Sequence, residues 1–196
     1  MKKPTLVFAT GNPNKLAEVN QLIGHRFEVH GLKDIGCTED IPETQDTIAG
    51  NAWQKARYVK EHYGLDCFAE DTGLEVDALD GAPGVFSARY AGPQKNAEDN
   101  MQLLLKNLRG VADRSARFRT VIALILNGAE HTFKGVAAGR IATERHDGDQ
   151  GFGYDPLFFP EGYDRSFAQM PASAKNEISH RGRAVRQLVR FLNQHL

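Results

Sequence analysis

A mixed α/β fold, on a sheet that is not simply doubly wound, is what the order of patterns in this 196-residue chain predicts. Three observations carry that expectation. Apolar runs of strand length alternate with 3.6-residue periodicity through the first half. A strand pair closed by Asn127-Gly128 interrupts the alternation in the second half, and an amphipathic helical pattern ends the chain. The length buries one good core and predicts one domain with a lobe, spanning 1–196, rather than two domains.

Taken in order, Thr5 to Ala9 is a continuous apolar strand, and Thr10-Gly11-Asn12-Pro13-Asn14-Lys15 is a turn that feeds a helix. Asn12 is the N-cap, Pro13 takes the first helical position, and Leu16, Val19, Leu22 and Ile23 share one face. Phe27 to Gly31 alternates as a strand. Leu32 to Asp46 is polar and irregular and carries Glu39, Asp40, Glu43 and Asp46, a pattern typical of a solvated loop. Thr47 then caps a helix to about His62, with Ala52, Ala56 and Val59 inward and Lys55 near its start. After the short apolar run Asp66 to Ala69, Glu70 and Asp71 stand where a buried strand reaches the end of a sheet. Thr72-Gly73 breaks that strand, Leu74 to Leu79 forms a second, and Asp80 to Gly84 is a tight turn that leads to Ser87-Ala88-Arg89-Tyr90.

Ala97 to Leu108 is an amphipathic helix with a Met101, Leu104, Leu105, Leu108 core stripe. Phe118 to Leu126 and Glu130 to Gly139 make a hairpin, since Asn127-Gly128 supplies the two positive φ angles of a two-residue turn. Ile141 to Gln150 is polar, and Gly151 to Pro160 joins flexible glycines to aromatics, a loop able to approach a flat ligand. The last helix, Ser179 to Gln194, turns Ala184, Val185, Leu188, Val189 and Leu192 inward and holds His180 and Arg181 in its first turn.

Charge and composition exclude several classes. With 24 basic against 25 acidic side chains and a pI near 6.7, no global field favours nucleic acid or a membrane surface, so any anion site is local. The apolar run Leu6 to Ala9 is too short for an export signal, and the longest run, Val121 to Leu126, cannot span a bilayer. Cys37 and Cys67 lack metal-ligand spacing and are expected as reduced thiols in the cytoplasm.

Two acids side by side repel, and a divalent cation or a proton between them relieves that. A strand, a turn and a helix N-terminus with Lys15 in its first turn aim N–H groups, a dipole and a charge at one point, a geometry suited to phosphate. Together with Lys55, Arg89 and an aromatic loop, these features describe a substrate with a polyanionic end and a flat polar end. A nucleotide fits.

Four stretches carry a resemblance: TGNPNK at 10–15, AEDTGLEVDALDGAPGVFSARYAG at 69–92, GFGYDPLFF at 151–159 and SHRGRA at 179–184. In order and spacing along nearly the whole chain, they closely resemble the inosine/xanthosine triphosphate pyrophosphatases, enzymes that clear non-standard purine nucleotides. The resemblance implies hydrolysis of ITP, dITP and XTP to monophosphate and pyrophosphate. It also implies an elongated mixed β-sheet with flanking helices, two lobes around a central substrate cleft, and a homodimer.

Carried over by residue, Thr10, Gly11, Asn12 and Lys15 resemble the phosphate-binding turn, and Lys55 the second phosphate-contacting lysine. Asp71 is similar to the acid named as proton acceptor and metal ligand, Glu43 to the other acid that holds Mg²⁺, and Thr72 joins the substrate-binding set. Phe152, Gly153, Tyr154, Asp155, Lys175, His180 and Arg181 are similar to the base and sugar pocket. The chain departs from the family at Gly50, where Glu is common. As third helical residue after Thr47, a Glu would complete a capping box, and its loss is expected to weaken the helix start by up to roughly 1 kcal/mol. Two other readings stay open: a nucleotide-sensing or flavin-binding module without hydrolysis, and a pyrophosphatase for another nucleotide such as a pyrimidine triphosphate.

Overall fold

The first strand is short because its apolar run meets the Thr10-Gly11 bend almost at once. β1 is Thr5–Val7, and Phe8 adds one parallel bridge to Phe68. The computed structural model describes residues 2–195. α1 (Pro13–Ile23) begins with Asn12 in extended geometry, its side chain accepting from the N–H groups of Asn14 and Lys15. β2 (Glu28–His30) lies parallel to β1, Thr5 opposite Glu28. Parallel neighbours need a crossover, which α1 supplies. α2 (Ile48–Tyr63) starts at the Thr47 cap and ends at Gly64, whose left-handed φ of 68° suits a residue without a side chain. Its buried stripe of Ile48, Ala52, Ala56 and Val59 also includes the polar Asn51 and Lys55.

β3 (Cys67–Val76) is one uninterrupted strand. This corrects the expectation of a break at Thr72-Gly73 and of acids at a sheet end. Thr72 and Gly73 keep extended backbone, and Glu70 and Asp71 sit mid-strand at 2% and 6% exposure. The chain turns later, through a 3-10 turn at Asp77–Leu79 and Asp80, which takes a positive φ of 53°. The second strand expected at Leu74 to Leu79 is thus the end of β3 plus that turn.

β4 (Pro83–Gly84) pairs antiparallel with β3, and α3 (Ala97–Asn107) starts at an Asn96 cap. β5 (Ser115–Leu126) and β6 (Ala129–Ile141) are joined by Asn127 and Gly128 at φ 51° and 80°, the turn their sequence predicts. β7 (Phe158–Pro160) runs antiparallel to β6 with Ile141 opposite Phe158, so the end of the expected aromatic loop is a strand. α4 (Ala172–Ile178), which the sequence reading did not foresee, precedes α5 (His180–His195). The sheet order is β4-β3-β5-β6-β7, with β1-β2 as a separate pair.

The chain forms two compact units. The first combines the chain up to Asp71, Thr120–Lys134 and the chain from Gly182. Its core packs Phe8 on Phe68, ring centroids 4.6 Å apart, against Ile122, Leu124, Val185 and Leu188. The second, Thr72–Arg119 with Gly135–Arg181, is built around Leu74, Leu104, Phe118, Leu157, Phe158 and Phe167. Among the described residues no helix is long and apolar enough to cross a membrane.

Candidate active site

Successive residues of a strand point to opposite faces, and β3 uses this to separate its two acids. Glu70 Oε1 lies 3.0 Å from Lys15 Nζ of α1. Asp71 Oδ1 lies 3.7 Å from Lys55 Nζ of α2, and the same ammonium lies 3.1 Å from Glu43 Oε1. The expectation of one cation shared by adjacent carboxylates is therefore corrected: each has its own lysine, and the acid that shares Lys55 with Asp71 is Glu43. The first unit thus gathers three acids and two lysines of the predicted phosphate end.

Asp71 is the strained member. Its Oδ2 is buried without a hydrogen-bond partner. Burial raises its pKa above the ordinary carboxylate range, Lys55 and then Lys15 pull it down, and Glu43 and Glu70 push it up again. An uncovered buried carboxylate oxygen is a costly feature unless something charged comes to it. Asp71 and Glu43 both lie beside the Lys55 ammonium, and their hard oxygen donors fit a divalent cation. Among the described residues no group of three or more His, Cys, Asp or Glu side chains is arranged to hold a metal. Two carboxylates suffice for a small hard cation that keeps water and phosphate as its remaining ligands.

The phosphate turn is more occupied than its sequence implies. Asn12 N–H donates to Thr10 Oγ1, and Asn12 Oδ1 accepts from the N–H groups of Asn14 and Lys15. Those donors hold the turn's shape, which leaves Lys15 Nζ as its main charge. At Gly11 a Cβ would meet nothing within 4 Å, so the backbone there is open to close approach. Gly50 also has a local reason. A Cβ there would come within 2.8 Å of Gln45 Cβ and 2.9 Å of Thr47 Oγ1, while the Gly50 N–H still donates to Thr47 at 2.9 Å. The cap is intact, and the path of Gln45 fills the space that a side chain at position 50 would take.

The second unit holds the predicted base-side residues. Gly151 and Gly153 take positive φ angles of 78° and 62°. A Cβ at Gly151 would collide with the Asp155 carboxylate. Asp155 Oδ2 accepts from Phe152 N–H at 2.9 Å and from Lys175 Nζ at 2.7 Å, an ion pair closed to solvent. Tyr154 donates to the Ser87 carbonyl at 2.7 Å, and burial raises its phenol pKa. Arg181, 2% exposed, donates to Thr72 Oγ1 at 3.3 Å, and its guanidinium and the Lys175 ammonium each lie 5.5 Å from the Phe152 ring centroid. His180 stacks on Phe118 with centroids 4.6 Å apart. Arg89, expected among the substrate cations, lies over the Phe86 ring at 5.1 Å from its centroid.

Sequence reasoning missed the residues that brace this unit. Ser87 Oγ accepts from Leu74 N–H and donates to the Gly84 carbonyl. The Asn100 side chain ties both Ala91 N–H and the Ala88 carbonyl. Asn100 was findable, as a polar residue one turn before Leu104 on an apolar face. A shallow cavity of about 520 Å³, lined by Arg114, Arg140, His146 and Phe159 among others, contains none of the predicted residues.

The model of the Ham1 family matches residues 6–191. The chain belongs to the Ham1 family. A Flavobacterium johnsoniae protein described as dITP/XTP pyrophosphatase is 57% identical over 187 residues, covering 95% of this chain and 97% of its own. A Porphyromonas gingivalis protein of the same description is 56% identical, with 95% and 96% covered. Among solved structures, the Staphylococcus aureus Ham1 protein superposes with a TM-score of 0.87 at 35% identity over 98% of this chain and 100% of its own. A Ham1 protein from Coxiella burnetii gives 0.87 at 39% identity, covering 97% and 99%. Ham1 membership agrees with the resemblance carried by the four motifs.

Proposed function

We propose that this Ham1 chain is a nucleoside-triphosphate pyrophosphatase that hydrolyses ITP, dITP and XTP between the α and β phosphorus, releasing monophosphate and pyrophosphate. The observation that carries the reading is the uncovered, buried Asp71 Oδ2 within a cluster of two lysines and two further acids. The relatives described as dITP/XTP pyrophosphatases support the substrate class. Asp71 accepts the proton of the attacking water, and burial, which raises its pKa, makes it a stronger base. Lys15 and Lys55 exchange their carboxylate partners for phosphate oxygens, so charge already neutralised in the free protein is re-used on the substrate. Glu43 and Asp71 would hold Mg²⁺, which when bound would supply charge neutralisation to the phosphate chain.

In the second unit, Arg181 donates to the 6-oxygen of hypoxanthine or xanthine. Adenine presents an amino donor at that position, and two opposed donors both lose their partners. Phe152 to Asp155, Lys175 and His180 shape the pocket around it. The enzyme acts as a cytoplasmic homodimer, and light scattering that shows a monomer at micromolar concentration would remove that part.

The deciding experiment assays purified protein with ITP, XTP, GTP, ATP and UTP, with and without Mg²⁺, and resolves products by ion exchange. Pyrophosphate from ITP and XTP only in the presence of Mg²⁺, with ATP and UTP far slower, is the expected result. Nucleotide binding without turnover, or preference for UTP, sinks the proposal.

A further inference from the structure

The segment that carries Glu43 has no helix or strand of its own: no regular element spans residues 37–46. Such a segment stays in place only if other groups tie it down. α2 supplies the ties from one face, where Asn51, Gln54, Lys55 and Tyr58 follow an i, i+3, i+4, i+7 spacing. Asn51 Oδ1 accepts from Gln45 N–H at 2.9 Å. Gln54 and Thr44 bond reciprocally: Thr44 N–H donates to Gln54 Oε1 at 2.8 Å and Gln54 Nε2 donates to Thr44 Oγ1 at 2.9 Å. On the other side of Glu43, the phenols of Tyr58 and Tyr63 donate to one oxygen of Glu39 at 2.9 and 2.7 Å. The Tyr63 phenol, then backbone and Tyr58 donors, hold the Glu39 carboxyl down at about 2, so it remains an acceptor across the working pH range. Glu43 lies between these two fastenings, its carboxylate 3.1 Å from Lys55 Nζ.

We infer that Gln54 and Glu39 are positioning residues: by clamping the chain on both sides of Glu43 they hold its carboxylate where a divalent cation meets it, and so set the cation affinity. The inference rests on the reading of Glu43 as a cation ligand given above. Neither residue touches the cation or the nucleotide. Their action is through the backbone at Thr44 and Thr38, the latter donating to Glu39 Oε2 at 3.1 Å. Groups that orient a metal ligand in this way are typically worth ~10–100-fold in metal affinity.

The test uses Mn²⁺ binding to the nucleotide-free protein by calorimetry, the Mg²⁺ dependence of ITP turnover, and hydrogen exchange of residues 38–46. Gln54→Met and Glu39→Ala are expected to weaken Mn²⁺ and to raise half-saturating Mg²⁺ by ~10-fold or more. Exchange in the segment should quicken, while kcat at saturating Mg²⁺ stays near wild type. Thr44 is exposed, so Thr44→Val folds and should reproduce part of the loss. Thr44→Ser, which keeps the hydroxyl, should restore it. Glu43→Gln separates the two claims. If it weakens Mn²⁺ while Gln54→Met and Glu39→Ala leave Mn²⁺ affinity unchanged, Glu43 is a ligand and the clamp is not what sets it, which overturns the inference alone. If Glu43→Gln leaves Mn²⁺ affinity unchanged, the reading of Glu43 falls and takes the inference with it.

Discussion

The charged groups of the first unit and those of the second solve burial in opposite ways. Around Asp71, every lysine faces a carboxylate, yet Asp71 itself lies 3.7 Å from Lys55 and one of its carboxylate oxygens has no partner. Around Asp155, one oxygen takes both a backbone N–H and a lysine at 2.9 Å or less, and the pair is sealed under Phe152 and Phe167. A buried ion that is well satisfied fixes local shape. A buried ion left partly unsatisfied stores a demand for charge that a ligand can meet. The same residue types are therefore left partly unsatisfied in one unit and closed off in the other.

The largest expected effect tests the reactive side. Asp71→Asn should retain the circular dichroism spectrum of the parent and lose about 10²–10⁴ in turnover of ITP, as expected for removal of a general base. Turnover near that of the parent would take Asp71 out of the mechanism. Its raised pKa adds a pH signature. The acid limb of kcat/KM should lie above the ordinary aspartate range near ~3.9 and vanish from the residual activity of Asp71→Asn. The stability sign follows from the same shift. With the folded pKa above the unfolded one, the contribution of Asp71 is fully present below the ordinary value and is lost as pH rises through the raised one. Stability of Asp71→Asn should therefore fall less than that of the parent across that window in denaturant titrations.

On the rigid side, Lys175→Met strands the Asp155 carboxylate in an apolar setting, and a broken buried pair costs about 3–5 kcal/mol. Urea unfolding measures it. A loss below about 1 kcal/mol would place this pair with exposed salt bridges and blur the contrast drawn here. A smaller effect is expected from Arg181→Lys, which keeps the charge but not the planar fork. The ratio of ITP to ATP turnover should narrow about tenfold, or ~1.4 kcal/mol. If all triphosphates slow by one common factor, Arg181 serves phosphate or fold rather than base choice. The smallest is Thr47→Ala, which removes one capping bond from α2 and should cost about 1 kcal/mol without altering the ITP to ATP ratio.

What was legible in the sequence is what local chemistry decides. Asn12 before Pro13, Thr47 before its helix and Asn127-Gly128 each satisfy or shape backbone within four residues, and each element starts or turns where they say. What was not legible depends on partners far along the chain. Thr72-Gly73 looks like a strand break because nothing nearby shows that lysines at 15 and 55 make β3 habitable for two acids. Phe158–Pro160 is three residues long, too short for a period, and is a strand only because Gly139 to Ile141 lie beside it. Lys175 and Asp155 are twenty residues apart and carry no mark of their pairing. Glu70 was read only as half of a repulsion, and its pairing with Lys15 at 3.0 Å carried no local mark. The predicted site residues were reached through motifs, and their division into a loose cluster and a sealed one needed coordinates.

β3 also sets a limit on how this protein can change. Because alternate residues of a strand face opposite ways, insertion or deletion of one residue between Cys67 and Glu70 would slide the register by one place and exchange the faces of the two acids. The glutamate side chain would then approach the lysine of α2 and the aspartate that of α1, with reaches that differ by one methylene. Leu74, which follows the change, would turn out of its core at the same step. A substitution along this strand changes one side chain, whereas a change of length changes the face of every residue after it, and the parity of a short count of residues ties the chemistry to the packing.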